Sequence, residues 1–433
     1  MAHVLSFLRG KAALLGALAI LAVYALEAHA RNRVQSSPAT LGDQSAYLAY
    51  ARDLYESNYT VTADRNRMPV YPFLLSLIYR PGMNEAEFLL RAQTFTVYLS
   101  IVSLALLFLI LRRFFPPLPA LGLLAATAFG VFIYRAGKAQ VELLFYFVSF
   151  CAFVLLLQLF VRPRWWLAVL AGATTGLAHL TKASVLPALG IWTVVFGTGI
   201  IWNRSPDRWR RLFVLGIVLA SFLMVVFPYI QTSKRIYDSY FYNVNSTFVM
   251  WCDSSTEGYE FLKAHGDKDQ WRQVPPDERP SARKYWREHT VAQIAHRMCK
   301  GSLGLITTHV RAIGYYKFVI ALLVAGLTIC LRQWHATRDV FAQNPFAAIF
   351  SLLFFGGYFA LYAWYDQITT DTRFMLSIFL PCLFAASLFV VRAGRDRFFS
   401  LGEWQFSFEQ IFGALFLALA MIDVVYNAAS LVR

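Results

Sequence analysis

Five charged residues stand in short polar segments at the edges of long apolar runs. Charged side chains in such places commonly carry a function in membrane proteins. A carboxylate can accept the proton of an attacking hydroxyl, and a guanidinium group can hold two phosphate oxygens at once. Two acids and several cations could therefore assemble a single cavity, in which the arginines would suit an anionic group. The five residues are Asp43, Arg67, Glu142, Lys182 and Arg373.

Each of these residues also has an ordinary structural interpretation. Lys182 and Arg373 could each be a lone charge at the membrane interface. Asp43 could cap the N-terminus of a helix, since its carboxylate can accept backbone N–H groups of the first turn. Glu142 opens an apolar helix and could offset the helix dipole. Arg67, with Arg65 beside it, could contact anionic lipids in general. The sequence leaves these alternatives open.

The composition is that of a membrane protein. Of 433 residues, 58% are hydrophobic and 15% are charged, where soluble domains carry about 25% charged residues. The net charge of +15 would suggest nucleic-acid binding in a soluble protein. Here the basic residues form short clusters between apolar runs, a spacing typical of membrane topology. We therefore expect a lipid bilayer as partner and no nucleic acid.

Apolar runs long enough to cross a bilayer follow one another along the chain. A helix needs roughly 20 residues to span a hydrocarbon core of about 30 Å. The sequence predicts an all-α polytopic membrane protein with about eleven transmembrane helices. The runs lie near 11–29, 92–111, 118–134, 141–160, 165–181, 184–202, 211–230, 313–331, 346–364, 373–392 and 409–429.

The basic clusters predict the orientation. With the N-terminus in the cytoplasm, the short basic connections all face inward, as the positive-inside rule requires. The long loops 30–91 and 231–312 then face outward, together with all five charged residues. We expect an N-terminal transmembrane module (1–230) with a catalytic first outer loop, an extracytoplasmic loop domain (231–312) and C-terminal helices (313–433). The expected location is a bacterial inner membrane, with the site facing the periplasm.

The first outer loop carries an amphipathic pattern. The segment from Leu41 to Tyr47 is followed by residues whose spacing puts one aromatic and aliphatic stripe on a helix: Leu48, Tyr50, Ala51, Leu54 and Tyr55. Such a helix would lie along the membrane surface.

The second outer loop, 231–312, is rich in aromatic and charged residues. This composition suits carbohydrate stacking but favours a small folded cap. Cys252 and Cys299 both lie in it, and in an oxidising compartment they could form a disulfide; two unbridged thiols remain the alternative. No His or Cys repeat has the spacing of a zinc site.

Several motifs, in this order, resemble membrane glycosyltransferases of the GT-C fold. This group includes protein O-mannosyltransferases, the lipid A aminoarabinose transferase and the catalytic subunit of oligosaccharyltransferase. The matching segments are Gly42-Asp43-Gln44 with Tyr47, Arg67-Met68-Pro69-Val70-Tyr71-Pro72, Glu142, Gly176 to Lys182, and Thr372-Arg373-Phe374 with Pro381.

The resemblance implies a reaction and roles for residues. The donor would be a sugar on a polyprenyl phosphate, and the acceptor a hydroxyl of a glycan, lipid or protein. Asp43 would act as general base, with inversion of the anomeric carbon, and Glu142 would orient the acceptor or Asp43. Tyr47 and Tyr71 would contact substrate. The donor phosphate would be bound by Arg65, Arg67, Lys138, Lys182 and Arg373.

No cofactor is expected. The chain has no P-loop or dinucleotide fingerprint. The family frequently has a second acid directly after the first, but here that position is Gln44. A lone carboxylate is a poor cage for a divalent metal, so metal binding is not favoured.

Two other functions compete with this interpretation. A lipid-linked oligosaccharide polymerase or ligase, of the O-antigen type, would have its key residues in 231–312 and would tolerate loss of Asp43. A transporter or flippase would show internal repeats with helices broken in matching halves, and the sequence shows no such repeat.

Overall fold

The computed structural model describes residues 2–34, 42–60, 64, 66–202, 207–266, 270–309, 316–369, 371–394, 398–401 and 404–432. The first half of the chain forms α1 (Ala2–Val34), α2 (Asp43–Glu56), α3 (Val70–Ser76), α4 (Glu85–Phe114), α5 (Pro117–Gly130), α6 (Glu142–Val161), α7 (Trp165–Thr181), α8 (Leu186–Trp202) and α9 (Arg208–Tyr237).

The second half begins with short helices and ends with long ones. It contains α10 (Val244–Thr247), α11 (Ser255–His265), α12 (Ala282–Glu288), α13 (Val291–Gly304), α14 (Tyr316–Arg332), α15 (Trp334–Gln343), α16 (Pro345–Tyr365), α17 (Thr372–Ala393) and α18 (Phe408–Val432). An antiparallel hairpin of β1 (Phe398–Leu401) and β2 (Trp404–Ser407) precedes α18.

The predicted all-α polytopic fold is confirmed, and each predicted apolar run coincides with a helix among the described residues. Nine helical segments among the described residues are long and apolar enough to span a membrane, against about eleven predicted. A tenth span requires α14 and α15 together, which meet at a bend of 105°. Helix α7 has 17 residues, about 26 Å at 1.5 Å per residue, and so falls short of the hydrocarbon thickness.

Helix α7 packs closely on α9 through small residues. A Cβ atom on Gly172 would lie 2.3 Å from the carbonyl oxygen of Val218, and one on Gly176 would lie 2.9 Å from Val225 Cβ. Glycine at these positions lets two backbones approach in the way that membrane helices commonly use. This contact fixes the position of the C-terminal end of α7, which Lys182 directly follows.

The two long loops fold over one end of the bundle. Four residues of the predicted stripe on α2 are buried, namely Leu48, Tyr50, Ala51 and Leu54, whereas Tyr55 is 38% exposed. Residues 238–266 and 270–304, which we call the cap, have a small apolar core of their own around Tyr242 and Trp271.

The cap is attached to the bundle on two sides. Asn243 Nδ2 donates to the backbone oxygen of Asn66 at 2.9 Å, which joins the cap to the loop after α2. On the other side, Trp364 Nε1 at the end of α16 donates to the carbonyl of Met250 at 2.6 Å. The cap therefore covers the ends of α2 and α16 together.

The suggested disulfide between Cys252 and Cys299 is wrong: both residues are thiols in the structure. Cys252 is fully buried in the cap, where its sulfur faces Gly258 on α11. Cys299 is exposed on α13. The two side chains thus belong to different elements and have opposite environments.

Candidate active site

A cavity of about 640 Å³ lies between the cap and the ends of α2, α6, α7 and α17. One end of it is charged, and we call this the ionic end. The five charged residues singled out from the sequence all line it: Asp43, Arg67, Glu142, Lys182 and Arg373. Residues separated by up to 330 positions are thus brought into one site.

Arg373 is the central cation of the ionic end. Its Nη1 atom lies 2.5 Å from Asp43 Oδ2 and 3.4 Å from Glu142 Oε1. Its Nε atom lies 2.7 Å from Asp371 Oδ2. Because Arg373 opens α17, one guanidinium group joins the acids of α2 and α6 to the start of a third helix.

Arg67 completes the environment of Asp43. Its Nη2 atom lies 3.1 Å from Asp43 Oδ1, and its guanidinium carbon lies 5.4 Å from the centre of the Tyr47 ring. The backbone N–H of Arg67 donates to Asp64 Oδ1 at 2.6 Å, which holds the loop in place. Arg67 thus contacts an acid of the site, while Arg65 lies outside the described residues.

Asp43 does not cap its helix. The N-cap is Gly42, and Asp43 is the first residue of α2, with its carboxylate turned to the two arginines. Burial raises the pKa of this carboxyl, but Arg373 and Arg67 more than offset that effect and hold the pKa below its ordinary value. Asp43 is therefore ionised at neutral pH.

Glu142 and Lys182 form a further ion pair of the site. Lys182 Nζ lies 3.8 Å from Glu142 Oε1 and 5.0 Å from the centre of the Phe374 ring. Glu142 is only 2% exposed, and its Oε2 atom has no hydrogen-bond partner among the described residues. Since a buried carboxylate oxygen is costly to leave unpaired, this atom is suited to accept a hydrogen bond from a ligand.

Tyr47, Tyr71 and Lys138 were the remaining predicted contacts. Tyr47 lines the cavity. Tyr71 lies behind it, fully buried, with ring centres 5.4 Å apart and its hydroxyl 2.7 Å from Thr96 Oγ1. Lys138 is exposed in the turn before α6 and does not line the cavity. Tyr71 is thus placed to support Tyr47 rather than to touch a ligand.

Sequence reasoning missed Asp371. Its Oδ1 atom accepts the backbone N–H of Arg373 at 2.9 Å and lies 3.6 Å from Arg135 Nη2. It therefore caps α17 and orients the Arg373 guanidinium. An aspartate two residues before the predicted start of an apolar helix is a known N-cap signal, which could have identified it.

Gln44 stands where the resembled family frequently has a second acid, and here it has a structural function. Its Oε1 atom accepts the backbone N–H of Ala139 at 2.8 Å, and the side chain is buried. This bond ties α2 to the turn before α6.

Within the described part of the chain, no group of three or more His, Cys, Asp or Glu residues is arranged to hold a metal ion.

Comparison with solved structures identifies the fold. The chain is similar to the archaeal oligosaccharyltransferase AglB from Archaeoglobus fulgidus, solved with an inhibitory peptide and a dolichol-phosphate, with a TM-score of 0.51 and 15% identity. The match covers 96% of this chain and 55% of AglB, so the chain spans about half the length of that protein. The predicted GT-C fold is confirmed.

The chain is also similar to a second solved structure, that of ArnT from Cupriavidus metallidurans in the apo state. It has a TM-score of 0.40 and 15% identity, over 82% of this chain and 76% of ArnT. No family model and no curated protein matches the chain.

Proposed function

We propose that this multi-pass membrane protein is a glycosyltransferase that moves a sugar from a polyprenyl phosphate to an acceptor hydroxyl. The observation that carries the proposal is the ionic end of the cavity, where two acids face one guanidinium group. Its fold and the dolichol-phosphate bound to AglB support a lipid phosphate as the carrier.

Asp43 would be the general base. Its depressed pKa keeps it ionised, and it would take the proton of the acceptor hydroxyl as that oxygen attacks the anomeric carbon. The new bond forms between the acceptor oxygen and this carbon, while the bond from the carbon to the phosphate oxygen breaks. Attack from the side opposite the leaving group inverts the anomeric centre.

Arg67, Lys182 and Arg373 would bind the phosphate leaving group. Negative charge grows on that group as the bond breaks, and fixed cations in a site shielded from water stabilise it strongly. In the unliganded protein, Arg67 and Arg373 pair with Asp43. A bound phosphate offers both arginines a second partner, which would release the carboxylate to act on the acceptor.

Glu142 would orient the acceptor through its unpaired Oε2 atom. The displacement needs neither a redox cofactor nor a nucleotide, and the acids and cations of the site can perform it without a metal. We place the reaction on the periplasmic face of a bacterial inner membrane, with the N-terminus in the cytoplasm. The acceptor would be a hydroxyl on a glycan, lipid or protein.

The test is transfer of radiolabelled sugar from polyprenyl-phosphate donors to a membrane lipid extract. Purified wild type is compared with Asp43→Asn and with Asp53→Asn, which changes an exposed acid on the same helix. We expect transfer by wild type and by Asp53→Asn, and a loss of about 100-fold or more in Asp43→Asn.

Transfer by Asp43→Asn at the wild-type rate would eliminate Asp43 as the base. Absence of transfer by wild type from every such donor would contradict the proposed function. That result would favour the competing function, a lipid-linked oligosaccharide polymerase or ligase, whose key residues should lie in 231–312.

A further inference from the structure

Among the described residues, those of the cap that line the cavity are all uncharged, and we call this part of the cavity the cap end. They are Phe241, Tyr242, Asn243, Asn245, Ser246, Val249, Met250, Ser254, Ser255, Gly258, Tyr259 and Leu262. The cap as a whole is rich in charged residues, among them Asp253, Glu257 and Lys263. None of these charged residues lines the cavity, so the described part of the cap presents only its uncharged side chains there.

Helix α11 shows how this separation is achieved. Ser255, Gly258, Tyr259 and Leu262 line the cavity, and their spacing of three, four and seven positions places them on one helix face. Glu257, Glu260 and Lys263 lie off that face. The helix thus presents hydroxyl, aromatic and apolar groups to the cavity and keeps its charges outside.

From this arrangement we propose that the cap end binds an uncharged saccharide as the acceptor. The inference rests on the proposed function and specifies its acceptor class. An aromatic face next to hydroxyl and amide groups suits a sugar ring, which has both apolar C–H faces and hydroxyl edges. A charged acceptor would leave its charge unpaired in this part of the cavity, at a large cost.

Gly258 and Tyr259 form the centre of this subsite. A Cβ atom on Gly258 would meet only Cys252 Sγ, at 3.8 Å, so glycine leaves space here that protein atoms do not fill. The Tyr259 side chain next to it is 67% exposed. An open aromatic ring beside an unfilled space can stack on a sugar ring.

The position of the subsite favours an acceptor over the lipid carrier. The cations that would hold the donor phosphate lie at the ionic end, while the cap covers the outer end of the bundle. The polyprenyl chain must remain in the bilayer, so it cannot extend into the cap. A ligand at the cap end therefore approaches from the side opposite the lipid, with a hydroxyl directed toward Asp43.

Binding of three matched trisaccharides tests this inference. The probes, all β-1,4-linked and fluorescently labelled, are cellotriose, which is neutral, the trisaccharide of glucuronic acid, which is anionic, and the trisaccharide of chitosan, which is cationic. The full chain is placed in nanodiscs so that no glycoside detergent competes. We expect wild type to bind cellotriose at least about tenfold more tightly than either charged probe.

Two variants locate the subsite. Gly258→Leu fills the space and should weaken cellotriose binding about tenfold, and Tyr259→Ser should do the same by removing a ring that is 67% exposed. Glu260→Leu is the matched control, since it adds the same side chain on the charged side of α11, and it should bind as wild type does.

Equal binding of the three probes, no binding of cellotriose, or wild-type binding by both subsite variants would overturn the inference. Transfer of labelled sugar from the polyprenyl-phosphate donor to the membrane lipid extract is measured in parallel. If wild type transfers no sugar from any such donor but the binding pattern holds, the proposed function fails and the saccharide subsite stands. If wild type consumes donor without the binding pattern, only the subsite fails.

Discussion

The hydroxyl of Tyr146 donates to the backbone carbonyl of Arg373 at a distance of 2.9 Å. Tyr146 lies one turn after Glu142 on α6, so the same helix contacts Arg373 at its side chain and at its backbone. The central cation of the site is therefore positioned from α6 as well as by Asp371.

Replacing Tyr146 by phenylalanine should impair the site without unfolding the protein. The change removes one hydrogen bond, worth about 1 kcal/mol, and leaves the carbonyl of Arg373 without this partner. We expect a fall in kcat of about fivefold and a rise in the KM for the donor. Steady-state transfer assays over a range of donor concentrations measure both constants.

Tyr24→Phe is the control for that variant. It also removes a hydroxyl from a fully buried tyrosine. This hydroxyl donates to Ser100 Oγ at 2.8 Å, and neither residue lines the cavity. Thermal unfolding should show a similar loss of stability in both variants. If Tyr24→Phe lowers kcat as much as Tyr146→Phe does, the positioning role of Tyr146 is wrong.

Arg67→Ala should shift the pH dependence of the reaction. Arg67 helps to hold the pKa of Asp43 below its ordinary value, so its removal raises that pKa. The base acts only when ionised, and activity is therefore lost as the pH falls through the pKa of Asp43. We expect the acidic limb of kcat/KM to move to higher pH in the variant, and the KM for the donor to rise about tenfold.

Arg91→Ala provides the comparison, because Arg91 pairs with Glu87 on the surface of α4. The pH dependence of kcat/KM for Arg91→Ala, measured from about pH 4 to 8, should match that of wild type. An unmoved acidic limb in Arg67→Ala would contradict the assignment of this limb to Asp43, and an unchanged KM for the donor would remove Arg67 from the phosphate site.

Gly42→Ala should displace Asp43. Gly42 has φ 87° and ψ −141°, a conformation that side chains disfavour, although no atom lies near the position of its missing Cβ. The strain costs about 1–3 kcal/mol and can be relieved by moving the start of α2. We expect lower stability and a several-fold fall in kcat, checked by thermal unfolding and by the transfer assay.

Gly190→Ala is the control for Gly42→Ala, because it adds the same methyl group at a position without backbone strain. Gly190 lies within α8 and also has open space around its missing Cβ. Alanine favours the helix there by up to about 1 kcal/mol, so stability should be unchanged or higher. A loss equal to that of Gly42→Ala would show that backbone strain is not the cause.

Much of the fold could be predicted because its signals are local. Apolar runs of about 20 residues identify helices, and the spacing of Leu48, Ala51 and Leu54 identifies the buried face of α2. The count of spans was less certain, since α7 has only 17 residues and its packing depends on Gly172 and Gly176 meeting α9. Sequence spacing does not show which partner helix a glycine faces.

The site shows the same division. The sequence indicated Asp43, Glu142 and Arg373 as charges beside apolar runs, but it could not give the ion pairs that join them. The N-cap position of Asp371 was a local signal that went unused, whereas its ion pair with Arg135 could not be predicted, because Arg135 lies far away in the chain. The neutral lining of the cap could not be predicted either, since its charged and neutral residues alternate along the sequence.

The pairing of Arg67 and Arg373 with Asp43 has a consequence for selectivity. A small free anion such as inorganic phosphate must compete with a carboxylate that is already in place, and it has no other contact to compensate. A lipid-linked sugar phosphate adds contacts of its sugar and its chain, so it can displace the carboxylate. In the proposed mechanism, Asp43 would thus compete with small anions for the two arginines and keep them from binding there.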